Sequence, residues 1–371
     1  MSLNFEDLKQ APRILIEAPL KPLAGTRIQP TGFPDLGAAE YIAPPTTEEE
    51  KKAFPNGVPT LLVESAQSMA NRLEAVCWDE ATENVVTELN GLPYVRVKLA
   101  GPLEGTDSTT TSLQEFHRLN SPYIMSGLQG DKPFDMVLKQ ELKLSGVKSE
   151  GDDKEAGDVA GVVNLRRLAQ VCFKYDPNSL VHGIFLEKIA GRLRHPRALS
   201  SFIEASGVGR ADSGGVKFDR ALPKPSVANV DAAGGYGNVP FHRTEFTAKS
   251  ITAYFSLDLA QIRGYGLGDD ATQLLISLSL WKVRKFLESS MRLRSACELE
   301  LVDNEGQVTA KRPSTFVLPS TDELTNTVST LLKKCRQQFA DPLVTELTWT
   351  GGKKPKADKT AGKKGVKKDE E

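Results

Sequence analysis

The stretch from Phe241 to Arg294 constrains the fold of this 371-residue chain more than any other. In Ser250–Asp258, Ile251, Ala253, Phe255 and Leu257 alternate with Thr252, Tyr254, Ser256 and Asp258, the period of a strand buried on one side. A turn follows, Gly264-Tyr265-Gly266-Leu267-Gly268, made of residues that tolerate positive φ. Ile276, Leu280, Val283, Leu287 and Met291 then recur at helical spacing and turn one stripe to a core. Asp269 or Asp270 is expected to cap this helix. Lys282, Lys285 and Arg292 are expected on its opposite, solvated side.

Other elements are legible by the same rules. Arg13–Leu20, bracketed by Pro12 and Pro19, reads as a strand, and so do Tyr94–Leu99 and the segment near Gly183–Leu186. Helices are expected over 62–77, 111–119 and 164–173, and a loop or short helix over 44–52. Residues 298–302 and 307–311 read as a hairpin. Ser320 and Glu323 form a capping box for a helix that buries Leu324, Val328, Leu331, Cys335 and Phe339. Residues 146–161 are acidic and lack an apolar period, as a mobile loop does. Residues 205–238 form a long, weakly patterned insertion, and such insertions are functional or disordered. Residues 351–371 form a Lys-rich tail too poor in apolar groups to order. Strands and helices mix without a regular β-α rhythm, which favours an α+β fold.

Composition narrows the chemistry. No apolar run reaches the roughly 20 residues of a membrane helix, and the N-terminus lacks the features of a signal peptide. Cys77, Cys172, Cys297 and Cys335 stand apart in apolar segments, as core residues of a reducing cytoplasm do. His117, His182, His195 and His242 are isolated, so no metal or cofactor is expected. There is no nucleophile elbow, dinucleotide fingerprint or Walker lysine. The chain has 47 Lys and Arg against 48 Asp and Glu. Its last nineteen residues hold eight lysines and four acids, so the rest carries about −5. A freely binding nucleic-acid protein is usually basic. Any polyanion held here requires cations gathered in one groove.

Such groups exist. Arg192 and Arg194 share one face of an extended segment, with Arg197 just beyond, and arginine grips phosphate through a planar fork of donors. On spacing alone, a phosphate grip and an ordinary charged surface strand stay equally open. His242, Arg243 and Lys249 form a second group. The turn at Gly264–Gly268 offers backbone N–H groups at a helix N-terminus, and Tyr254, on the polar side of its strand, is placed to stack a base.

Three further blocks complete the pattern: Arg27-Ile28-Gln29-Pro30-Thr31-Gly32-Phe33-Pro34-Asp35-Leu36-Gly37, Glu64-Ser65-Ala66-Gln67-Ser68-Met69-Ala70-Asn71-Arg72-Leu73-Glu74, and His117-Arg118-Leu119-Asn120-Ser121-Pro122-Tyr123-Ile124. Together with Phe241–Arg294, in this order, they resemble the CRISPR-associated RAMP superfamily. The similarity is to the backbone (Cas-seven, Csb type) subunit of the type I-U, now I-G, interference complex. It spans the chain from about the first twenty residues to the final helix.

The resemblance implies an RRM-like (ferredoxin-like) palm with helical insertions and a thumb-like hairpin. One domain would occupy 1–350, with a finger-like part near 100–160 and a thumb near 207–238. It further implies a non-catalytic cytoplasmic protein that polymerises along a guide RNA (crRNA). Its other partners would be further Cascade subunits and target DNA, the latter through guide pairing. On that basis Arg27, Arg72, Arg192, Arg194, Arg197, His242, Arg243 and Lys249 are expected on RNA, and Arg210, Lys217, Phe218 and Arg220 on the thumb. Arg72 is equally suited to an intramolecular carboxylate. A rival class is a metal-dependent ribonuclease using Asp212, Asp219 or Asp231. A third is a scaffold without RNA contact.

Overall fold

The computed structural model describes residues 3–101, 107–144, 163–187, 189, 193–217, 220, 239–302 and 307–351. In β1 (Arg13–Pro22) the odd and even positions part as the sequence does, with Ile14, Ile16, Ala18 and Leu20 buried. β2 (Glu40–Ala43) and β3 (Val58–Glu64) come next. Between them lies a short helix, Glu48–Ala53, whose capping box joins Thr47 and Glu50. α1 (Ala66–Ala75) follows, with Ser65 Oγ accepting from the Ser68 N–H. The helix expected over 62–77 therefore begins late. Leu61, Val63 and Glu64 belong to a strand, because β3 is needed as a sheet neighbour.

β4 (Tyr94–Leu99) is as expected. The helix expected over 111–119 is not. β5 (Ser108–Thr111) ends there in a turn and a single 3₁₀ turn at Arg118–Asn120. Thr111, Ser112 and Leu113 are all buried, and Ser112 Oγ accepts from the Val95 N–H at 3.2 Å. Three consecutive buried residues have no helical period. α2 (Leu165–Tyr175), β6 (Ile184–Leu186), β7 (Leu193–His195) and β8 (Leu199–Ser206) lead to a long pair of strands, β9 (Gly209–Lys217) and β10 (Val239–Thr247). The remainder is β11 (Ser250–Asp258), α3 (Asp269–Glu288), β12 (Arg292–Arg294), β13 (Cys297–Leu301), β14 (Ala310–Arg312), α4 (Thr321–Lys334) and β15 (Val344–Trp349).

The large sheet runs β12-β13-β1-β11-β8-β3-β2, with β14 also on β1. Four of them, β13-β1-β11-β8, are antiparallel neighbours. In chain order they are the fourth, first, third and second of a β-α-β-β-α-β unit, the ferredoxin-like arrangement. α3 is the crossover from β11 to β13. The fold is thus α+β with an RRM-like palm. A smaller sheet sets β15 parallel to β4 and β4 antiparallel to β5. β13 and β14 do not pair with each other as a hairpin. Both lie along the same edge of β1, at Leu20↔Leu301 and Ile16↔Ala310, since that ten-residue strand has room for two short neighbours.

α3 corrects the sequence reading most. Residues 274–283 are all buried, Lys282 at 0% exposure among them. The helix lies between the sheet, where Phe286 meets Phe255 edge-on, and α4, where Trp281 Nε1 donates to Thr325 Oγ1 at 2.9 Å. A helix covered on two sides has no solvated back at Lys282. Met291 and Arg292 fall outside it. Its N-cap is Gly268, at φ 90°, with no side-chain cap. Asp269 and Asp270 sit in the first turn instead, where a carboxylate still faces the positive end of the helix dipole. The Ser320–Glu323 capping box is present as expected. The four cysteines are free and buried. Among the described residues, no helix is long and apolar enough to cross a membrane.

Candidate nucleic-acid interface

β8 and β11 are adjacent palm strands, and the chain between them extends into β9 and β10. These pair in register from Gly209↔Thr247 to Lys217↔Val239. The flanks of the expected thumb are therefore the arms of a two-stranded ribbon. Phe218, Asp219 and all of 221–238 lie outside the described residues. Arg220 and Lys217 are exposed. A two-stranded ribbon is marginal alone in water, so its base matters. There Ile28 and Phe246 exchange two backbone hydrogen bonds, at 2.8 and 2.9 Å. This docks the 27–37 loop against β10 across more than two hundred residues of sequence. A cleft of about 520 Å³ opens beside it, lined by Gln29, Pro30, Leu36, Arg210, Thr244 and Phe246 among others.

Most cations here are held by acids. Arg210 is bidentate on Glu40, at 2.6 and 3.1 Å. His242 lies 3.6 Å from Asp212, both well exposed, and Thr244 Oγ1 donates to Asp212 at 3.2 Å. Lys249 is exposed at the base of the ribbon. The buried Glu245 carboxylate is shared. Arg27 Nη1 meets it at 2.9 Å, Arg243 Nη1 lies 3.5 Å away, and Ser213 Oγ donates at 3.2 Å. Sequence reasoning passed over Glu245. Its signal was the alternation Arg243-x-Glu245, which puts the acid on the same strand face as the cation.

The Arg192–Arg197 group divides. Arg192 lies outside the described residues. Arg194, on β7, is exposed, with its guanidinium 5.6 Å over the Phe185 ring of β6. Arg197 is half-buried, and burial, then the Arg118 charge, lowers its pKa. Its charge acts together with those of Arg118, Glu74 and His182. Arg118 holds Glu74 through two bonds at 2.6 and 2.8 Å and donates to the Gly183 carbonyl at 3.1 Å. Gly183 has φ 83°, and a Cβ there would meet the Arg197 N and His195 O at 3.1 Å; glycine is required for β6 and β7 to approach. Burial pushes the Glu74 carboxyl above the ordinary carboxylate range, against the pull of Arg118. Lys282 Nζ donates to Asn178 Oδ1 and, at 2.9 Å, to His182 Nε2. Lysine only donates, so His182 Nε2 is the acceptor, while its Nδ1 is buried with no hydrogen-bond partner. Burial, then the Lys282 and Arg118 charges, hold this histidine well below its ordinary pKa.

Arg72 sits on the intramolecular side of its two readings. It donates to Glu64 at 2.8 Å and to the carbonyls of Arg292 and Leu293. Tyr254 stacks on Phe202, with centroids 4.9 Å apart, so one face of its ring is already covered. Of the carboxylates weighed for a ribonuclease, Asp212 is on β9, while Asp219 and Asp231 lie outside the described residues.

A family model described as "CRISPR-associated protein GSU0053" matches residues 14–210, more than half of the chain. Among curated proteins, none matches. A solved chain titled "CRISPR RNA-guided surveillance complex, pre-nicking" is similar over 78% of this chain and 76% of its own, at 13% identity and a TM-score of 0.38. So loose a superposition does not define the fold; the strand order does.

Proposed function

Because the chain belongs to the family of CRISPR-associated proteins that the GSU0053 model describes, we propose that it is a guide-RNA-binding backbone subunit of a Cascade-type interference complex. The observation that carries this reading is the ribbon β9–β10, continuous with the palm strands β8 and β11 and rooted on the 27–37 loop, where Arg27 and Arg243 share Glu245. Copies would line up along one guide RNA, each gripping sugar and phosphate while bases stay free to pair with target DNA. Such a division leaves sequence to the guide and backbone to the protein. The reading also fits a chain of net charge −1, since Arg27 and Arg243 meet at Glu245, Lys249 is exposed between β10 and β11, and Arg194 stands on a separate hairpin. Arg72 is occupied inside the fold and Arg197 is half-buried against the charge of Arg118; both are left out of the RNA set.

The test is a shortened ribbon. Replacing residues 212–244 with a short Gly-Ser turn retains the palm, Glu245 and the Ile28–Phe246 bridge. The variant is expected to melt as the full chain does and to lose most of its affinity for single-stranded RNA. Undiminished affinity in a folded variant would refute the proposal. Magnesium-dependent cleavage of complementary RNA, abolished by Asp212→Ala, would replace it with the ribonuclease reading.

A further inference from the structure

We propose that Glu245 is a positioning residue: it holds Arg27 and Arg243 as a two-guanidinium seat for one backbone phosphate of RNA. The inference deepens the function proposed above and rests on it. Three observations carry it. The carboxylate is interior while its arginines are not: side-chain exposure is 7% for Glu245, 55% for Arg27 and 39% for Arg243. One negative charge therefore faces two positive ones, and the trio keeps a net charge of +1 on its solvent side. The three groups are also fixed from three directions. The Ile28–Phe246 bridge sets Arg27 beside β10. Ser213 Oγ, on β9, donates to the same Glu245 oxygen that Arg27 meets. The Phe241 ring lies 6.0 Å from the Arg243 guanidinium. Finally, the neighbouring acids are engaged, Glu40 by Arg210 and Asp212 by Thr244 and His242.

A guanidinium carries five N–H donors, and each arginine uses a minority of them on Glu245. The rest stay uncommitted, on side chains 55% and 39% exposed. Long side chains lose rotamer freedom when they grip a ligand, and a buried carboxylate that orients them beforehand lowers that loss. Phosphate, with several acceptor oxygens, matches two such forks.

The variant Glu245→Gln separates positioning from charge, because the two make opposite predictions. Binding of 5′-labelled single-stranded RNA to the full-length chain would be measured across a salt series, beside Arg27→Ala and Arg243→Ala. As a positioning residue, Glu245→Gln weakens binding about tenfold and lowers the slope of log affinity on log salt by about 0.7, one single-strand phosphate, although it removes a negative charge. Ser213→Ala, which loosens Glu245 without changing charge, weakens binding about twofold and decides the matter if Glu245→Gln melts early. Equal or tighter binding by a folded Glu245→Gln would overturn the proposal and leave Glu245 a mere counter-charge. Unchanged slopes in both arginine variants, with wild-type RNA binding intact, would move the phosphate seat elsewhere and spare the function. Absence of salt-dependent RNA binding by the wild type would end both.

Discussion

Glu64 and Glu245 are both buried carboxylates that face two arginines, yet their surroundings assign them opposite roles. At Glu64 the partners are Arg72 and Arg294, and each turns further donors onto backbone carbonyls: Arg292 and Leu293 for Arg72, Gln29 and Val63 for Arg294. Those guanidiniums are consumed in joining α1, β12 and the 27–37 loop. At Glu245 the partners stand half in water with donors left over. The Glu74–Arg118 pair is the sealed extreme, with both side chains under a tenth exposed. An arginine becomes available to a ligand when its anchor is buried and its remaining donors are not. Proximity to an acid alone does not decide this.

The largest effect should come from opening the sealed extreme. Arg118→Met leaves Glu74 buried without its partner, and breaking such a pair costs about 3–5 kcal/mol. Urea unfolding would read this as a large fall in midpoint. A change under about 1 kcal/mol would mean that water reaches Glu74 and that the sealed class is not distinct. The second test uses pH. The lowered His182 pKa means that the unfolded chain takes up a proton below about pH 6.5 and the folded chain does not. Stability is then complete above that pH and falls as pH drops, by about 1.4 kcal/mol per unit for one such group. His182→Gln, which retains an acceptor for Lys282, should flatten the fall between pH 6.5 and 5; an equally steep fall would place the titrating group elsewhere.

Open pairs should respond less. Arg27→Ala and Arg243→Ala are expected to change stability by about 1 kcal/mol or less, while the salt slope of RNA binding drops. Stability losses as large as that of Arg118→Met would erase the contrast between the two kinds of site. The smallest effect belongs to Arg210→Ala. Its bidentate pair with Glu40 is largely exposed, and such pairs contribute about 0.2–1 kcal/mol, screened by salt. A thermal melt in low and high salt should bring the variant and the wild type together as salt rises.

What could be read without coordinates follows from local rules. β11 announced itself because each second residue faces the core, and α4 because Ser320 and Glu323 satisfy each other's backbone. β1 and β4 were visible for the reason that β11 was. Errors came where partners, not periodicity, decide. Leu62–Glu64 carry residues acceptable to a helix, but β8 needs a neighbour. Residues 111–113 are buried in succession by the small sheet. Lys282 looks like a solvated position on any helical wheel, yet the Asn178–His182 turn closes over it.

The sequence by itself determined an α+β chain, its central strand, its crossover helix and a surplus of cations in a few segments, since backbone preference and apolar period act over neighbouring residues. Which cations remain free was decided by the tertiary structure alone. Arg72 and Arg27 are each the single cation of their sequence blocks, 64–74 and 27–37. One folds back onto carbonyls of β12, and the other meets a carboxylate 218 residues away on a ribbon. Charge availability depends on what a side chain's last donors face, and that is settled by packing between distant segments.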